Sequence, residues 1–519
     1  MGTRVTEVER KYEVPPDFEL PELTGGPAEL TVDEPITHRL AATYYDTVGF
    51  TLARHGVTLR YRTGGTDAGW HLKRPAAPGA RTEIRAPRPS SGRNRVPAAF
   101  DDELAALRRG RPLDPVLRIS TRRVERTVRS ADGTPVALIA DDRVTVRSPD
   151  GLVPPASWRE IEIELVEGPE SALDALDRPL REAGARPASA GSKLARALGA
   201  ALPPAPDDGQ AWRPVAGYAR AQREAIIALD PAVRRDEPEA VHDFRVAVRR
   251  LRSTLRTFRP LMPADRSEPV RAELRWLASE LGPVRDLEVI AERLAGAVAA
   301  EPPELVIGPI SERMAERFTG QRKKARESAL ATLGSERYFT LLDQLDELID
   351  QPPVRPPVNG EVKRLVRTAV RRAQRRLAAA AEPTSAEPTS TEPTSTDPTT
   401  GNPAVGDPAL ARDAALHEAR RSAKRARYAV EVLAPAVGKR AVRLVDRLKE
   451  VQDLLGTHQD TVVAREVLRA EADDAEAAGQ SAFTFGLLHG RQAAVAANAL
   501  TKLPDVRARV RAAVKRWLG

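Results

Sequence analysis

Apolar and polar residues alternate along several short segments in about the first 200 residues of the chain. In residues 6–14, TEVERKYEV, a strand period of two sends Glu7, Glu9 and Lys11 to one face and mostly apolar side chains to the other. The same alternation returns in residues 57–63, 69–74, 81–85, 121–128 and 158–168. Each predicted strand is apolar on one side and charged on the other, with charges of both signs. A closed barrel with a charged interior fits this pattern, because it has no exposed edges and its apolar outer face packs against helices.

The charged faces of these strands carry acidic and basic residues together. They are Arg60 and Arg62, His71 and Lys73, Arg81, Glu83 and Arg85, and the run Glu160, Glu162 and Glu164. In the segment TRRVERTV, either Arg123 or its neighbours Arg122 and Arg126 face inward, and the pattern leaves this register open. Charged groups are costly to bury unless they are paired or bind a ligand. A divalent cation and a phosphate would satisfy the charges of residues 7–11, and so would a solvated strand face with cross-strand salt bridges.

The order of motifs in this region resembles the CYTH domains, also called triphosphate tunnel metalloenzymes. Glu7-x-Glu9-x-Lys11 matches their Glu-x-Glu-x-Lys signature, and the match continues through TYYDT (43–47), LRYR (59–62), HLKRP (71–75), Asp141–Asp142, EIEIEL (160–165) and SKLARAL (192–198). The resemblance implies an eight-stranded antiparallel tunnel in which basic side chains bind triphosphate and acidic side chains hold Mg²⁺ or Mn²⁺. Members of the family include inorganic triphosphatases, thiamine-triphosphatases, RNA triphosphatases and a class of adenylyl cyclase.

The same resemblance implies roles for individual residues. The expected catalytic residues are Glu7, Glu9, Lys11 and Lys73. The expected metal ligands are Glu7, Glu9, Asp142, Glu162 and Glu164, with Asp142 preferred to Asp141 and Glu160 as a further candidate. Triphosphate is expected to bind Arg60, Arg62, Arg85, Arg123 and Lys193. Carboxylate oxygens suit Mg²⁺ or Mn²⁺, and arginine suits bidentate contact with phosphate.

The amino-acid composition of the sequence changes after a proline-rich stretch. We predict a tunnel domain at residues 1–202, a linker at 203–210 and an all-helical domain rich in Ala, Leu and Arg at 211–519. The overall fold class is therefore α+β with two domains. Inside the helical domain, residues 382–408 form a Pro/Thr/Ser repeat that cannot bury a core or continue a helix, and we predict a disordered insertion there.

The helical domain contains an internal repeat. VHDFRVAVRRLRSTLRTF (241–258) aligns with LHEARRSAKRARYAVEVL (416–433) at an offset of 175 residues. A second pair of segments, 277–294 and 448–468, aligns at an offset of 174, with Leu281–Gly282 matching Leu455–Gly456. The repeat divides the domain into halves of about 211–350 and 361–519.

Both copies of the first repeated helix carry a basic stripe opposite an apolar face. The stripe comprises His242, Arg245, Arg249, Arg252 and Arg256 in one copy and His417, Arg420, Lys424 and Arg427 in the other. A solvated helix face usually mixes both signs of charge to form i,i+4 pairs. These stripes are mostly basic, and residues 321–326 and 361–376 add further basic clusters. The pattern favours binding of a polyanion over a plain solvated face.

The helical domain resembles the CHAD domain, the conserved-histidine α-helical domain. The resemblance rests on H-x-x-R-x-x-x-[RK]-R-x-R in both copies, on the LG…D segment and on the position behind a CYTH-like region. It implies a pseudo-symmetric pair of four-helix bundles around a basic pore or groove that binds inorganic polyphosphate. The expected polyphosphate-binding residues are His242, Arg245, Arg249, Arg252, His417, Arg420, Lys424, Arg427 and His458. Val284 aligns with His458, so the two copies have diverged.

Composition narrows the classes of function. The 519 residues carry a net charge of +8 and have a pI near 9.8, which suits polyanionic partners. The absence of cysteine excludes disulfides and thiolate metal sites and favours a reducing cytoplasm. The charged N-terminal strand does not predict a signal peptide, and no long uncharged apolar run predicts a membrane span. Aromatic residues make up only 4%, which disfavours base stacking on nucleic acid.

Together these features predict a Mg²⁺- or Mn²⁺-dependent hydrolase of inorganic tripolyphosphate or polyphosphate. The helical domain would concentrate polyphosphate beside the tunnel, or target the protein to polyphosphate granules in the cytoplasm. The alternatives are an adenylyl cyclase that uses the same tunnel and a polyphosphate-binding protein without activity. A nucleic-acid binder would also explain the basic helices, with an affinity that falls steeply with salt.

Overall fold

The computed structural model describes most of the chain in two compact units, residues 1–205 and residues 206–519. The described residues are 3–23, 30–77, 80–87, 95–149, 151, 153–202, 209–350, 357–358, 360–381 and 408–518.

The first unit consists mainly of β-strands, as the alternating pattern predicts. Its strands are β1 (Thr3–Val14), β2 (Thr31–Val32), β3 (Ile36–Asp46), β4 (Thr58–Thr63), β5 (Gly69–Ala77), β6 (Ala80–Ala86), β7 (Asp114–Arg129), β8 (Pro135–Arg147), β9 (Ala156–Leu165) and β10 (Arg186–Pro187). Its helices are α1 (Thr51–Arg54), α2 (Asp101–Arg108), α3 (Ser171–Glu182) and α4 (Lys193–Leu198).

Eight of the described strands close into an antiparallel barrel in the order β1-β6-β5-β4-β3-β7-β8-β9, and β9 pairs back with β1. The long strand β1 makes the closure. Its first part pairs with β6 from Thr3 to Val8, and its second part pairs with β9 from Glu9 to Val14. The short strands β2 and β10 add to β7 and β1 outside this ring. The predicted closed barrel is confirmed.

The apolar face of the strands packs against helices. Tyr12, Ile161 and Ile163 are buried in one cluster with Leu173 and Leu176 of α3. Full burial of an aliphatic side chain of this size contributes about 1.5–3 kcal/mol, so this cluster holds the helix on the barrel. Because neighbouring residues of a strand point to opposite faces, the charged residues between them point into the barrel.

The second unit is helical. Its helices are α5 (Gly209–Arg234), α6 (Ala240–Thr257), α7 (Ala264–Glu280), α8 (Gly282–Ala299), α9 (Ile310–Leu333), α10 (Glu336–Asp350), α11 (Glu361–Ala381), α12 (Pro408–Val437), α13 (Lys439–Ala477), α14 (Phe483–Thr501) and α15 (Leu503–Leu518). Helices α5, α6, α7 and α10 contact one another, and α11, α12, α13 and α15 share a buried apolar core. The C-terminal half of α13 packs with α8, α9 and α14 around a second core.

The two copies of the repeat differ at one helix boundary. In the first copy α7 ends and α8 begins around Leu281, and Pro283 occupies the first turn of α8. Proline is tolerated there because the first N–H groups of a helix have no partner within the helix. The second copy has Thr457 at the equivalent position, and α13 runs unbroken through it for 39 residues.

The fold class predicted from the sequence is confirmed, but some boundaries differ. The predicted linker at 203–210 ends early, because α5 already begins at Gly209. Residues 203–208 and 382–407, which hold the rest of the linker and nearly all of the predicted disordered insertion, lie outside the described residues. Pro408, the last residue of that predicted insertion, begins α12. Within the described residues, no helix is both long enough and apolar enough to cross a membrane.

Candidate functional site

The interior of the barrel holds a charged cavity of about 240 Å³. Its walls come from nearly every strand of the ring and from the start of α4. The charged lining residues are Glu7, Glu9 and Lys11 of β1, Arg60 and Arg62 of β4, Lys73 of β5, Arg81, Glu83 and Arg85 of β6, Arg123 and Glu125 of β7, Glu162 and Glu164 of β9, and Lys193 of α4, together with Asp67 and His38. Most of the residues expected in the tunnel therefore line this cavity.

Lys193 lies between three carboxylates at one side of this cavity. Its Nζ is 2.9 Å from Asp142, 2.7 Å from Glu160 and 2.9 Å from Glu162. Ser192 caps α4 by accepting a hydrogen bond from the Ala195 N–H at 3.1 Å, and this cap fixes the start of the helix that carries Lys193. Burial alone would lower the pKa of Lys193, but the three carboxylates raise it above its usual value.

Arg123 completes the network around these carboxylates. Its Nη2 donates to Asp142 at 2.6 Å and to Glu162 at 2.8 Å, and its Nε donates to the other oxygen of Asp142 at 2.8 Å. Burial alone would raise the pKa of Asp142, but Lys193 and Arg123 hold it below its usual value. Lys11 also contacts Glu162, and its Nζ donates to Glu9 at 2.8 Å. Asp142 is thus engaged by cations on both oxygens, and its role as a metal ligand stays a prediction.

A second group of charges surrounds Glu7. Lys73 donates to Glu7, and Arg85 donates to Glu83 and approaches Glu7 at 3.5 Å. Burial raises the pKa of Glu7 to about 7, and Glu83 adds to this effect while Lys73 opposes it. The Nδ1 atom of His71 lies 2.9 Å from the carboxylate of Glu83. The carboxylate of Glu7 therefore lacks full compensation from its neighbours.

A third group of charges is positive. Arg60 has Tyr44 as its hydrogen-bond partner at 3.5 Å, and among the described residues it forms no ion pair. Arg62 pairs with Asp67, but burial and the charges of Arg60 and Arg123 lower its pKa to about 9. This excess of buried positive charge would be relieved by an anionic ligand.

The acidic residues of the tunnel fit a divalent cation. Glu9 and Glu164 are opposite each other in the pairing of β1 with β9. Burial raises the pKa of Glu164, and Glu9 and Glu162 add to the rise while Lys73 opposes it. Among the described residues, oxygens of Asp142, Glu160 and Glu162 lie within 4.8 Å of one another. The Lys193 ammonium already lies between these three carboxylates, so a metal ion there would have to displace it. Carboxylate oxygens are the hard ligands that Mg²⁺ and Mn²⁺ prefer, and a cation between Glu9 and Glu164 would offset their repulsion.

The structure also decides questions that the pattern left open. Arg123 lines the tunnel, whereas Arg122 and Arg126 do not. The expected residues Glu7, Glu9, Lys11, Arg60, Arg62, Lys73, Arg85, Glu162, Glu164 and Lys193 line it as well. Glu83, Arg81 and Glu125 were not among the expected site residues although they line the cavity. The signal for them was present, because they share strand faces with expected residues.

The helical unit has a basic groove of about 820 Å³ between α6, α7 and α12. It is lined by Arg249, Arg252, Ser253, Arg256 and Arg259, by Glu268, Arg271, Ala272 and Arg275, and by Arg421, Lys424, Arg425 and Tyr428. Burial, together with the nearby charges of Arg420 and Arg249, lowers the pKa of Lys424 to about 7. Among these lining residues Glu268 is the single acidic side chain, so the groove has a strong excess of positive charge.

Only part of the predicted polyphosphate-binding set lines this groove. Arg249, Arg252 and Lys424 do, and Arg256 of the basic stripe lies beside them. The cations Arg259, Arg271, Arg275, Arg421 and Arg425 line the groove without having been expected. Arg245 instead donates to Gly282 O at 2.9 Å and to Asp286 at 3.0 Å. The LG…D segment of the motif therefore anchors the first arginine of the basic stripe.

The remaining predicted residues have other surroundings. A Cβ at Gly456 would lie 3.1 Å from Arg420 Nη2, so this glycine lets the arginine pack closely. His458 Nε2 lies 3.7 Å from Asp413, and His417 is exposed. His242, Arg427 and these residues do not line the groove, and their contact with polyphosphate stays a prediction.

Comparison with known proteins assigns each of the two units to a domain family. The model of the CYTH domain matches residues 6–198, and the model of the CHAD domain matches residues 217–469. Two Mycobacterium tuberculosis proteins, the uncharacterized proteins MT2285 (strain CDC 1551 / Oshkosh) and Rv2226 (strain ATCC 25618 / H37Rv), are each 38% identical to the chain over 508 residues. Each alignment covers 95% of this chain and 94% of the relative.

Solved structures resemble the chain more distantly. PptA from Streptomyces chartreusis is 24% identical with a TM-score of 0.44, and the match covers 58% of this chain and 98% of PptA. The crystal structure of the CHAD domain from the plant Ricinus communis is 22% identical with a TM-score of 0.42, and the match covers 59% of this chain and 93% of that one.

Proposed function

The chain belongs to the family of proteins that join a CYTH domain to a CHAD domain, and from this premise we propose that it is a divalent-metal-dependent triphosphatase with a polyphosphate-binding helical domain. CYTH domains act on triphosphate substrates with a divalent metal. The finer assignment names inorganic tripolyphosphate and polyphosphate as substrates, and Mg²⁺ or Mn²⁺ as the metal. We place the protein in the cytoplasm, at polyphosphate granules.

One observation carries the proposal for the tunnel. The cavity contains an excess of positive charge around Arg60 and Arg62 and crowded carboxylates around Glu9 and Glu164. A ligand that relieves both must bring dense negative charge to the first group and a cation to the second. A metal–triphosphate complex has this combination, whereas a simple anion would serve only the arginines.

Each group of residues then has a distinct task. Glu7, Glu9, Glu162 and Glu164 would hold Mg²⁺ or Mn²⁺, which polarises a phosphoryl group when bound. Arg60, Arg62, Arg85 and Arg123 would bind the phosphate oxygens and offset their charge. Lys11, Lys73 and Lys193 would keep the glutamates in position and contribute further positive charge. Asp142 holds Arg123 in place from behind.

The groove supports the second half of the proposal. Its cations lie on three helices and face an open volume of about 820 Å³, which is large enough for a segment of a linear polyanion. Polyphosphate carries charge at every phosphate and has no bases, so it needs no aromatic stacking partners. Binding of long chains in the groove would raise the local concentration of substrate for the tunnel.

Phosphate release tests the proposal directly. The full chain is incubated with tripolyphosphate, ATP or long-chain polyphosphate, each with Mg²⁺ or Mn²⁺. We expect release from tripolyphosphate that falls at least about 1,000-fold in Glu7→Gln/Glu9→Gln, because the expected metal ligands are lost. Glu13→Gln is the matched control, since Glu13 lies on the same strand but contacts Ser189 at 2.6 Å outside the tunnel.

The outcomes separate the alternatives. Formation of cyclic AMP from ATP without release of phosphate would identify an adenylyl cyclase. Tight binding of polyphosphate with no release from any substrate would identify a polyphosphate-binding protein without activity. Displacement of polyphosphate by RNA or DNA at equal charge concentration would favour a nucleic-acid binder.

A further inference from the structure

The repeated helices α6 and α12 carry charges of opposite sign at one aligned position, near the C-terminal end of α6. Each residue of 241–258 has a counterpart 175 positions later in the chain. Arg256 therefore corresponds to Glu431. Its neighbours Arg252 and Arg425 correspond to Arg427 and Arg250. The first side of the repeat is the group of three arginines, Arg252, Arg256 and Arg425. The second side is the equivalent group of two arginines and a carboxylate, Arg427, Arg250 and Glu431.

The three arginines on the first side face the groove without an ion pair, although the charge of Glu418 partly offsets those of Arg256 and Arg425. Arg252, Arg256 and Arg425 all line it, and none forms an ion pair with any described residue. Burial, together with the charges of Arg256 and Arg372, lowers the pKa of Arg425 to about 10. The pKa of Arg256 is also lowered by burial, with additional effects from Arg271 and Arg372. This side repels itself until an anion is present.

Glu431 changes the arrangement on the second side. It accepts a hydrogen bond from the Tyr218 hydroxyl at 2.6 Å. Arg250 Nε lies 3.2 Å and Arg427 Nε lies 3.6 Å from its carboxylate oxygens. The guanidinium groups of both arginines also lie over the ring of Tyr428, at 5.9 Å and 4.8 Å. The side chain of Glu431 is only 14% exposed, so the three charges compensate one another with little screening by solvent.

The groove described above lies on the first side of the repeat. Neither Arg250 nor Arg427 lines the groove, although their counterparts Arg425 and Arg252 do. The neighbouring positions reinforce the difference. Arg421 lines the groove, whereas its counterpart in α6 is the uncharged Val246. A polyanion that follows the arginines would meet a carboxylate and engaged arginines on crossing to the second side.

We propose that Glu431 confines polyphosphate to the side of the repeat that carries Arg256 and so limits the length of chain that one molecule binds. The inference rests on the proposed binding of polyphosphate. It makes Glu431 a residue that determines specificity for chain length, and it removes Arg427 from the set of groups that contact polyphosphate.

The symmetry of the repeat supplies a matched pair of variants. Arg252→Gln and Arg427→Gln remove the same charge from equivalent positions of the two copies. Binding of long-chain polyphosphate to the full chain is measured at about 50 mM salt. We expect Arg252→Gln to weaken binding about tenfold and Arg427→Gln to change it less than about twofold, because Arg427 does not line the groove and its charge is partly offset by Glu431. Equal losses in the two variants would overturn the proposal.

Glu431→Gln tests the proposal in the opposite direction. The amide oxygen of glutamine still accepts a hydrogen bond from Tyr218, while Arg250 and Arg427 lose their charged partner. We expect polyphosphate to bind about tenfold more tightly, with a steeper dependence on salt and more phosphates bound per protein. Glu301→Gln is the control, since Glu301, just after α8, pairs with Arg491 of α14 at 3.1 Å and neither residue lines the groove.

These experiments also separate the inference from the function on which it rests. Failure of the unmodified chain to bind polyphosphate would refute the proposed function. Binding by the unmodified chain, with Glu431→Gln unchanged in affinity and in phosphates bound, would refute only the role of Glu431. The melting temperature of each variant shows whether it folds. If Glu431→Gln does not fold, the pair Arg252→Gln and Arg427→Gln still decides the question.

Discussion

The tunnel and the groove are both rich in basic side chains, but they compensate these charges differently. In the tunnel, Lys11, Lys73, Arg123 and Lys193 each contact at least one carboxylate. In the groove, a run of arginines faces an open volume with Glu268 as its single acidic lining residue. The enclosed cavity measures about 240 Å³ and the groove about 820 Å³.

The difference follows from access to water. A charge inside a closed barrel loses most of its hydration, and the barrel therefore supplies internal counter-charges. A charge in an open groove keeps part of its hydration and is screened by salt, so repulsion among arginines is tolerated. A ligand of the tunnel would bind Arg60, which forms no ion pair with any described residue, and would compete with the ion pairs of the neighbouring cations. A ligand of the groove supplies missing counter-charges. The first arrangement suits selective chemistry on a short substrate, and the second suits binding of a long polyanion.

The largest expected effect comes from breaking the internal pairing of the tunnel. Arg123→Ala should lower the free energy of unfolding by about 3–5 kcal/mol, because Asp142 is fully buried and would lose one of its two cations. Chemical denaturation of the full chain measures the change. Arg122→Ala is the control, since its side chain is exposed, and it should stay within about 0.5 kcal/mol of the unmodified chain. Equal destabilisation by both would show that the pairing is not what stabilises the barrel.

An intermediate effect is expected in the groove, where Glu268 pairs with Arg259 and Arg271 but Arg249 and Lys424 form no ion pair with any described residue. Arg249→Glu/Lys424→Glu should weaken binding of long-chain polyphosphate about 100-fold through reversed charge. Hydrolysis of tripolyphosphate should stay within about twofold, since the tunnel is untouched. Equilibrium binding and phosphate release are measured on the same preparation.

The exposed pair Arg469→Glu/Lys502→Glu carries the same change in net charge and serves as the control. It should change the affinity for polyphosphate less than about threefold, because a screened surface charge acts only weakly at a distance. A parallel loss of hydrolysis in the groove variant would contradict the division of labour between the two regions.

The smallest expected effect is a dependence of groove binding on pH. The pKa of Lys424 lies at about 7, so this side chain is mostly charged below that pH and mostly neutral above it. A polyanion favours the charged form, and binding should weaken as the pH rises from 6 to 8.5, by at most tenfold per unit. Lys424→Arg should flatten this dependence. His242 and the terminal phosphates titrate in both proteins, so the difference between the two profiles reports Lys424. Identical profiles would show that Lys424 keeps its charge throughout.

The strand pattern predicted the tunnel wall well, because alternation assigns every residue to one of two faces. Glu7, Glu9 and Lys11 share the inner face as expected. Their partners could not be predicted, since these depend on how the strands align. Lys11 contacts Glu162 because β1 and β9 pair with those two residues opposite each other, and a shift of the strands would have chosen another partner.

The helical pattern predicted the basic stripe but not the groove. Arg249 and Lys424 lie in the groove because they belong to facing helices. Arg271 and Arg275 of α7 join them through the packing of α7 beside α6, which no single-helix projection contains. Arg252 and Arg427 look identical in such a projection. They differ because Arg427 forms an ion pair with the carboxylate of Glu431.

The unbroken helix α13 belongs to two apolar cores, so the stabilities of these two cores are linked. Its first half contributes Leu444 and Leu448 to one apolar core, and its second half contributes Leu468 and Ala475 to the other. Opening either core exposes part of the same hydrogen-bonded rod, so amide protons in both halves of α13 should exchange with solvent as one cooperative unit. In the first copy, the interruption at Leu281 leaves α7 and α8 free to open separately. The first copy of the repeat is therefore divided into two helices that can open independently, whereas the second copy is held together by one continuous helix.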